Sequence, residues 1–428
     1  MTERVVLAYS GGLDTSVAVP WLRETYGYDV VALTADVGGG ADLAAIGERA
    51  LAAGASVAVG VDARAAFVES YVWPALQAGA LYQGIYPLAT ALARPLIARL
   101  LVETAHETGA TLVAHGCTGK GNDQVRFDVA IGALDPSLTV IAPMRSGMGM
   151  NRDEELTYAL ARNIPLEAGT GSGSPFSVDV NLWGRSVEAG ILEDPWVAPP
   201  PEAYLWTVDP ALAPSGAREV EIAFEGGIPV SLGGEPLDGA TLIEQLNALG
   251  GAYGIGRIDH VEDRLVGIKS REIYEAPAAV LLHQAHAALE QLVLSRDLLA
   301  FKRQVADRLG TLTYDGLWFG ELAVALRGFV AGTQGRVNGS VRIRLSAGSA
   351  AVVGRSSADS LYRHDLATYG AADGFDHAAA VGFIELWGLP VRTQAAIHGS
   401  AIRADGLLDQ LGAVRRTASA GAASPVPG

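Results

Sequence analysis

Two short stretches hold residue types whose spacing can do chemistry. In the first, Ser10-Gly11-Gly12-Leu13-Asp14-Thr15-Ser16 follows an apolar run, Val5 to Ala8, and precedes a helical pattern whose inner side would carry Val17, Val19, Trp21 and Leu22. A strand, a glycine turn and a helix start together make an anion site. Glycines let the backbone approach an oxygen, and the first helical N–H groups have no partner in their own helix. The helix end adds roughly half a positive charge, and Ser10, Thr15 and Ser16 add hydroxyl donors. The arrangement suits a phosphate chain. In the second stretch, His115 to Asp128, the side chains of Thr118, Lys120, Asn122, Asp123, Gln124 and Arg126 crowd together around Gly116, Gly119 and Gly121. Donors for a carboxylate sit beside an acceptor for an ammonium, the mixture that a zwitterionic amino acid requires. The plainer alternatives are an ordinary glycine turn and a polar loop ahead of a capped helix. Neither the Rossmann G-x-G-x-x-G nor the Walker loop is present, since Ala114 and Gly121 stand where the latter needs glycine and Ser/Thr.

These residues need elements to hold them. Short apolar runs at Val5–Ala8, Val30–Ala35, Ser56–Val61, Thr111–His115 and Leu138–Ala142 alternate with helical patterns near 15–26, 41–53, 64–78, 88–108 and 152–162. Alternation of this kind predicts a doubly wound parallel sheet, with ligands at the carboxyl ends of its strands. Both chemical stretches follow strands, as does Asp36-Val37-Gly38-Gly39, so all three open on one edge. Gly169 to Pro175 reads as a linker. After it come strand-like runs at 218–224, 256–268, 338–346 and 350–354 and helical stretches near 240–248, 277–309 and 318–333. That pattern implies an α+β domain with antiparallel pairing, in which Arg342-Ile343-Arg344-Leu345 is a strand with one wet face. The expected organisation is an α/β domain over 1–167, an α+β domain over 168–385, and a C-terminal arm over 386–428. In the arm, Leu386 to Val414 could pack on a partner and Thr417 to Gly428 would be disordered.

Composition excludes several classes. The 428 residues carry a formal charge of −16, which argues against a nucleic-acid partner held by clustered Lys and Arg. No signal-peptide pattern and no long apolar run appear, so the expectation is a cytoplasmic chain with no membrane association. Cys117 is the single cysteine, which rules out an internal disulfide and a cysteine-rich metal site. Only Lys120, Lys269 and Lys302 are lysines, and the first two fall inside polar motifs.

The loop from Ser10 to Ser16 resembles the SGG-x-D-[ST]-S loop of ATP pyrophosphatases, which cleave ATP between its α- and β-phosphates. Added to the run Gly116 to Phe127, to Asn181-Leu182-Trp183-Gly184-Arg185-Ser186-Val187-Glu188-Ala189-Gly190, and to Gly256-Arg257-Ile258-Asp259 through Lys269-Ser270-Arg271-Glu272-Ile273-Tyr274-Glu275, it makes the chain similar to the argininosuccinate synthases. The similarity runs in register from about residue 4 to about residue 390. It implies ATP-dependent, Mg²⁺-assisted ligation of citrulline and aspartate through a citrullyl-adenylate, with release of AMP and pyrophosphate. Carried over by position, Ala8, Tyr9, Ser10, Gly11, Gly12, Leu13, Asp14, Thr15, Ser16, Ala35 and Gly116 would contact ATP. Thr118, Asn122 and Asp123 would hold aspartate, and Tyr86, Asn122, Arg126, Ser177, Ser186, Glu262 and Tyr274 would hold citrulline. Asp14, Lys120 and Asp123 would serve catalysis, no side-chain metal site is implied, and the family is typically a homotetramer.

Four positions depart from the family pattern: Gly39 in place of a glutamine, Ile85 where an arginine is common, Ala91 where some members have serine, and Val180 for a polar residue. They keep open a paralogous adenylating ligase that joins a different acceptor or amine. A tRNA-modifying enzyme with the same loop is the other alternative, and it is disfavoured by the acidity of the chain and its single cysteine.

Overall fold

The computed structural model describes residues 2–166 and 176–399, which fall into two units, Met1–Leu361 and Tyr362–Gly428. The expected linker Gly169 to Pro175, the boundary at 167/168 and the small-residue tail lie outside the described residues.

The first half of the chain runs β1 (Arg4–Ala8), α1 (Leu13–Tyr26), β2 (Asp29–Asp36), α2 (Leu43–Ala53), β3 (Val57–Asp62), α3 (Arg64–Phe67), α4 (Trp73–Ala78), α5 (Ala89–Thr108), β4 (Leu112–Ala114), α6 (Asp123–Leu134), β5 (Thr139–Ile141) and α7 (Arg152–Ala161). The five strands form one parallel sheet in the order β3-β2-β1-β4-β5. Its centre is β1, where Val6 lies opposite Val31 on one side and Val113 on the other. Strand parity then divides the core. Val5 and Leu7 pack with Val17 and Leu22 of α1, while Val6 packs with Leu101 and Val102 of α5. Trp21, expected inside, is only half-buried and lies edge-on to Tyr26. The order reverses between β1 and β4, which makes the carboxyl ends of those strands the natural ligand crevice.

The helix expected over 64–78 is broken. Between α3 and α4 the chain makes a π turn, Val68–Val72, in which the Trp73 N–H reaches the Val68 carbonyl. Pro74 follows and has no N–H to continue an α-helical ladder there. The run at 277–309 is likewise two helices, because Ser295 caps the second.

The second half contains β6 (Ser177–Asn181), β7 (Gly184–Glu188), β8 (Arg218–Glu225), β9 (Ile228–Leu232), β10 (Glu235–Pro236), α8 (Gly239–Ala252), β11 (Arg257–Asp263), β12 (Lys269–Glu275), α9 (Pro277–Val293), α10 (Arg296–Tyr314), α11 (Glu321–Thr333), β13 (Gly339–Ser346) and β14 (Ser349–Ser356). They make two antiparallel sheets, β10-β9-β8-β13-β14 and β11-β12-β7-β6. Along β13, Val341, Ile343 and Leu345 are buried while Arg342 and Arg344 are exposed, the alternation read from the sequence. Behind the second sheet, fully buried Glu275 accepts hydrogen bonds from Arg185 and from the Leu205, Trp206 and Thr207 N–H groups at 2.7–2.9 Å. A buried carboxylate with that many donors locks the adjoining loop.

The second unit, described by itself, holds α12 (His364–Ala367), α13 (His377–Trp387) and α14 (Leu389–His398). Phe383, Ile384, Trp387 and Val391 on these helices are exposed.

Candidate functional site

The carboxyl edge of the parallel sheet opens into two cavities that share Cys117 and Asp179 as wall residues. The larger, 420 Å³, is lined by the ends of β1 and β2, the start of α1, and the turn after β4. Gly12 begins α1 in an extended conformation with no side-chain cap, so the first N–H groups of that helix remain available. Gly11 has φ +80, and a Cβ there would meet the Arg49 guanidinium at 2.9 Å, which is why glycine stands at this point of the loop. Ser10 and Thr15 share a hydroxyl–hydroxyl bond of 3.1 Å. Every residue expected to contact ATP lines this chamber except Gly11 and Ser16. Both are buried beneath the loop, where Ser16 bonds the Tyr9 hydroxyl at 2.9 Å.

The turn after β4 is held from below. His115 Nδ1 accepts the Cys117 N–H at 3.2 Å, so its Nε2 carries the proton shared with Asp128 at 2.8 Å, and Arg145 donates to Asp128 at 2.7 Å. Burial, reinforced by the charge of Asp123, pushes the Cys117 thiol up to about 12, and it stays protonated.

The smaller cavity, 220 Å³, is lined by all the residues expected for citrulline and aspartate: Tyr86, Thr118, Asn122, Asp123, Arg126, Ser177, Ser186, Glu262 and Tyr274. Sheet register explains how residues so far apart in sequence meet. One row across β12, β7 and β6 is Tyr274, Ser186 and Asp179, and two residues along each strand from it are Glu272, Glu188 and Ser177. These alternate positions share one face of the pleat. Glu262 faces the same way from β11 and accepts from the Tyr274 hydroxyl at 2.6 Å and from the Tyr314 hydroxyl. Tyr314 in turn accepts from Asn122 Nδ2 at 2.8 Å. Tyr86 stacks on Tyr274 with ring centres 4.1 Å apart, and its hydroxyl accepts the Thr90 N–H at the start of α5.

Charge in this chamber is paired but not saturated. Burial alone would raise the Asp123 carboxyl, but Arg94 and Arg126 outweigh it and hold the group below the ordinary carboxylate range. Arg126 is 4% exposed and keeps one nitrogen, Nη2, buried without a partner. Arg126 lines the chamber, where its fixed positive charge and planar fork suit a carboxylate. Glu272 is pushed up to about 8 by burial and the neighbouring Glu188, against the pull of Arg264. Lys120, expected to serve catalysis, is exposed and lines neither cavity; its loop forms the rim.

Family comparison gives these positions a common ancestry. Residues 4–165 match the arginosuccinate synthase N-terminal HUP domain and residues 176–394 the arginosuccinate synthase C-terminal domain. The chain belongs to the argininosuccinate synthase family. It is 56% identical to the argininosuccinate synthase of Gloeobacter violaceus over 92% of this chain and 99% of that one. It is 55% identical to that of Symbiobacterium thermophilum, covering 93% and 99%, and 53% identical to that of Oceanobacillus iheyensis, covering 93% and 94%.

Against the family pattern, two of the four departures touch each other. A Cβ on Gly39 would lie 3.0 Å from the Val180 carbonyl oxygen, and both residues line the larger cavity. They therefore bear on the larger cavity and do not line the smaller one. Ile85 is 47% exposed and Ala91 is buried in the core, so neither lines a cavity, while Thr90 does. The sequence reading missed Arg94, Asp179, Arg264, Glu272 and Tyr314, all of which take part in the site. Strand parity was the available signal for two of them: Asp179 lies two residues from Ser177, and Glu272 two from Tyr274.

Proposed function

We propose that the chain ligates citrulline to aspartate with cleavage of ATP to AMP and pyrophosphate, through a citrullyl-adenylate. The observation that carries this reading is the meeting of a phosphate-type chamber and a zwitterion-type chamber at Cys117 and Asp179. ATP would lie with its triphosphate tail on the Ser10–Ser16 loop and its α-phosphorus at the neck. Citrulline would sit in the smaller chamber, with its carboxylate towards Arg126 and its ammonium at Glu262. The ureido oxygen would then face the α-phosphorus in line with departing pyrophosphate, and positioning of this kind supplies most of the catalysis in such transfers. In the second step aspartate, held by Thr118, Asn122 and Asp123, presents its amine to the activated carbon and AMP departs. Asp123 accepts a hydrogen bond from that amine, and Lys120 on the rim loop offers charge to the leaving pyrophosphate.

The oxygen donors Asp14, Asp36, Ser10 and Thr15 around the larger chamber suit a hard cation such as Mg²⁺. Among the described residues no cluster of three or more His, Cys, Asp or Glu side chains forms a cage. The ion would therefore be held mainly by the nucleotide's phosphates, with one or two of these carboxylates. Bound there it would offset phosphate charge and ease the departure of pyrophosphate. A protonated Cys117 and a charge of −16 give no support to sulfur transfer onto RNA. No described helix is long and apolar enough to cross a membrane. The reading includes a cytoplasmic location and a homotetramer, the latter supported by the exposed apolar side chains of α13 and α14.

The test is to supply purified protein with Mg²⁺, ATP, citrulline and aspartate and to quantify AMP, pyrophosphate and argininosuccinate. All three should appear in equal amounts and require both amino acids. Release of ADP, or AMP formation that needs an amino acid other than citrulline, would contradict the proposal.

A further inference from the structure

The larger chamber is lined by Asp14, Asp36 and Asp179, and a triphosphate must enter it. Among the described residues on that wall, one side chain carries a guanidinium or ammonium, Arg94. Arg49 backs Gly11 from α2 but does not line the chamber, and Lys120 lies outside it. Arg94 projects from α5 to the neck where the two cavities join. Its Nε donates to Asp123 Oδ2 at 2.8 Å and its Nη2 lies 2.7 Å from the same oxygen. Nη2 also pairs with Asp179. The two carboxylates hold it unequally. Asp123 is gripped on its other oxygen by Arg126 at 2.9 Å, so that pair is fixed from both sides. Asp179 stands on β6 with its side chain 41% exposed, and Arg94 is its one ion pair among the described residues. Arg94 itself is anchored by Asp123 and by the Phe127 ring, 5.8 Å from the guanidinium carbon.

Resting on the reading above, we infer that Arg94 is a catalytic residue of the adenylation step: its guanidinium, held at the neck between Asp123 and Asp179, takes up the charge that builds on the α-phosphate oxygens, and Asp179 is the carboxylate it gives up. In that step the ureido oxygen forms a bond to the α-phosphorus. The bond from that phosphorus to the bridging β-oxygen breaks, and pyrophosphate leaves with the bonding pair. Arg94 donates hydrogen bonds throughout and transfers no proton. A planar fork that already makes two ion pairs can keep one edge on Asp123 while the other turns to phosphate, which a lysine ammonium cannot do. The same residue then still orients Asp123 for the incoming aspartate.

The experiment is citrulline-dependent exchange of labelled pyrophosphate into ATP, which reads adenylation without aspartate. It is run on the full chain, on Arg94→Lys and on Asp179→Asn, with kcat and the KM for ATP separated. Arg94→Lys should lower the exchange kcat about a hundredfold or more, the scale of losing one preorganised donor at a developing charge. Asp179→Asn removes the competing carboxylate and should lower the KM for ATP threefold or more. A merely structural ion pair would make both variants lose exchange together, and that outcome overturns the inference. So does Arg94→Lys retaining exchange within threefold of the parent, or an unchanged or higher KM for ATP in Asp179→Asn. An unfolded Arg94→Lys leaves the decision to Asp179→Asn. If the parent chain shows no citrulline-dependent exchange, the proposed function falls and this inference with it; if the parent exchanges and the variants behave as parent, only the role of Arg94 falls.

Discussion

Glu155 offers a sharp electrostatic prediction. It lies on α7 at 3% exposure and hydrogen-bonds Asp14 in the first turn of α1, beside the phosphate loop. Burial, then the Asp14 carboxylate, pushes its pKa from 4.5 up to about 7. The folded chain therefore keeps a proton that the unfolded chain releases near pH 4.5. The resulting stability is complete below that pH, shrinks as pH rises, and is gone above about pH 7. Moving one carboxyl that far corresponds to about 3 kcal/mol. Glu155→Gln keeps a neutral donor to Asp14 and carries no such dependence. The assay is urea unfolding of parent and variant at pH 5 and pH 8.5. The variant should be close to the parent at the lower pH and more stable by up to about 3 kcal/mol at the higher. Because ionised Glu155 would sit beside the anion site, the parent's KM for ATP should also rise above pH 7 while the variant's stays level. Equal differences between the two proteins at both pH values, or a variant less stable at pH 8.5, would refute the reasoning.

Three further outcomes test the amino-acid chamber. Tyr314→Phe takes one phenol from Glu262 and the acceptor from Asn122, so the KM for citrulline should rise by about tenfold or more while that for ATP holds, since a hydrogen bond to a charged group is worth about 1.5–3 kcal/mol. An unchanged citrulline KM in steady-state assays would remove Tyr314 from the site. Glu272 is protonated below about pH 8 and ionises above it, which adds a negative charge beside Glu262, at the end of the chamber that would take the citrulline ammonium. The KM for citrulline should therefore fall several-fold between pH 7 and pH 9, because the added charge attracts the ammonium, and Glu272→Gln should flatten the change. Asp123→Ala should weaken citrulline-dependent pyrophosphate exchange by freeing Arg94 and suppress argininosuccinate formation more deeply still, and equal loss of both would show that Asp123 has no separate part in holding aspartate.

Much of the first domain could be read directly because its signals are local. Val5–Ala8, Val30–Ala35 and Thr111–His115 each have apolar residues on consecutive positions, as strands buried on both faces must, and the parallel sheet follows from their alternation with helices. The phosphate loop needed only the strand before it and the helix after it. The smaller chamber was legible through resemblance alone, because its geometry comes from register. Nothing near Asp179 announces that it stands beside Ser186, or that Glu272 stands beside Glu188; the pairing of β6, β7 and β12 decides it. Strands β6, β7 and β12 were missed as elements for the same reason. They are five to seven residues long and their burial patterns do not alternate cleanly, so no period-two signal stands out. Arg94 was hidden differently, by lying in the apolar stretch of α5, where a single arginine reads as a surface residue until Asp123 and Asp179 are seen around it.

The central claim is that a ureido oxygen in the smaller chamber attacks the innermost phosphorus of ATP in the larger one. Citrulline labelled with oxygen-18 at the ureido position tests it directly, with the products separated and weighed by mass spectrometry. The geometry requires one labelled oxygen in every AMP formed and none in pyrophosphate. Unlabelled AMP, with the heavy oxygen in pyrophosphate or inorganic phosphate, would contradict it.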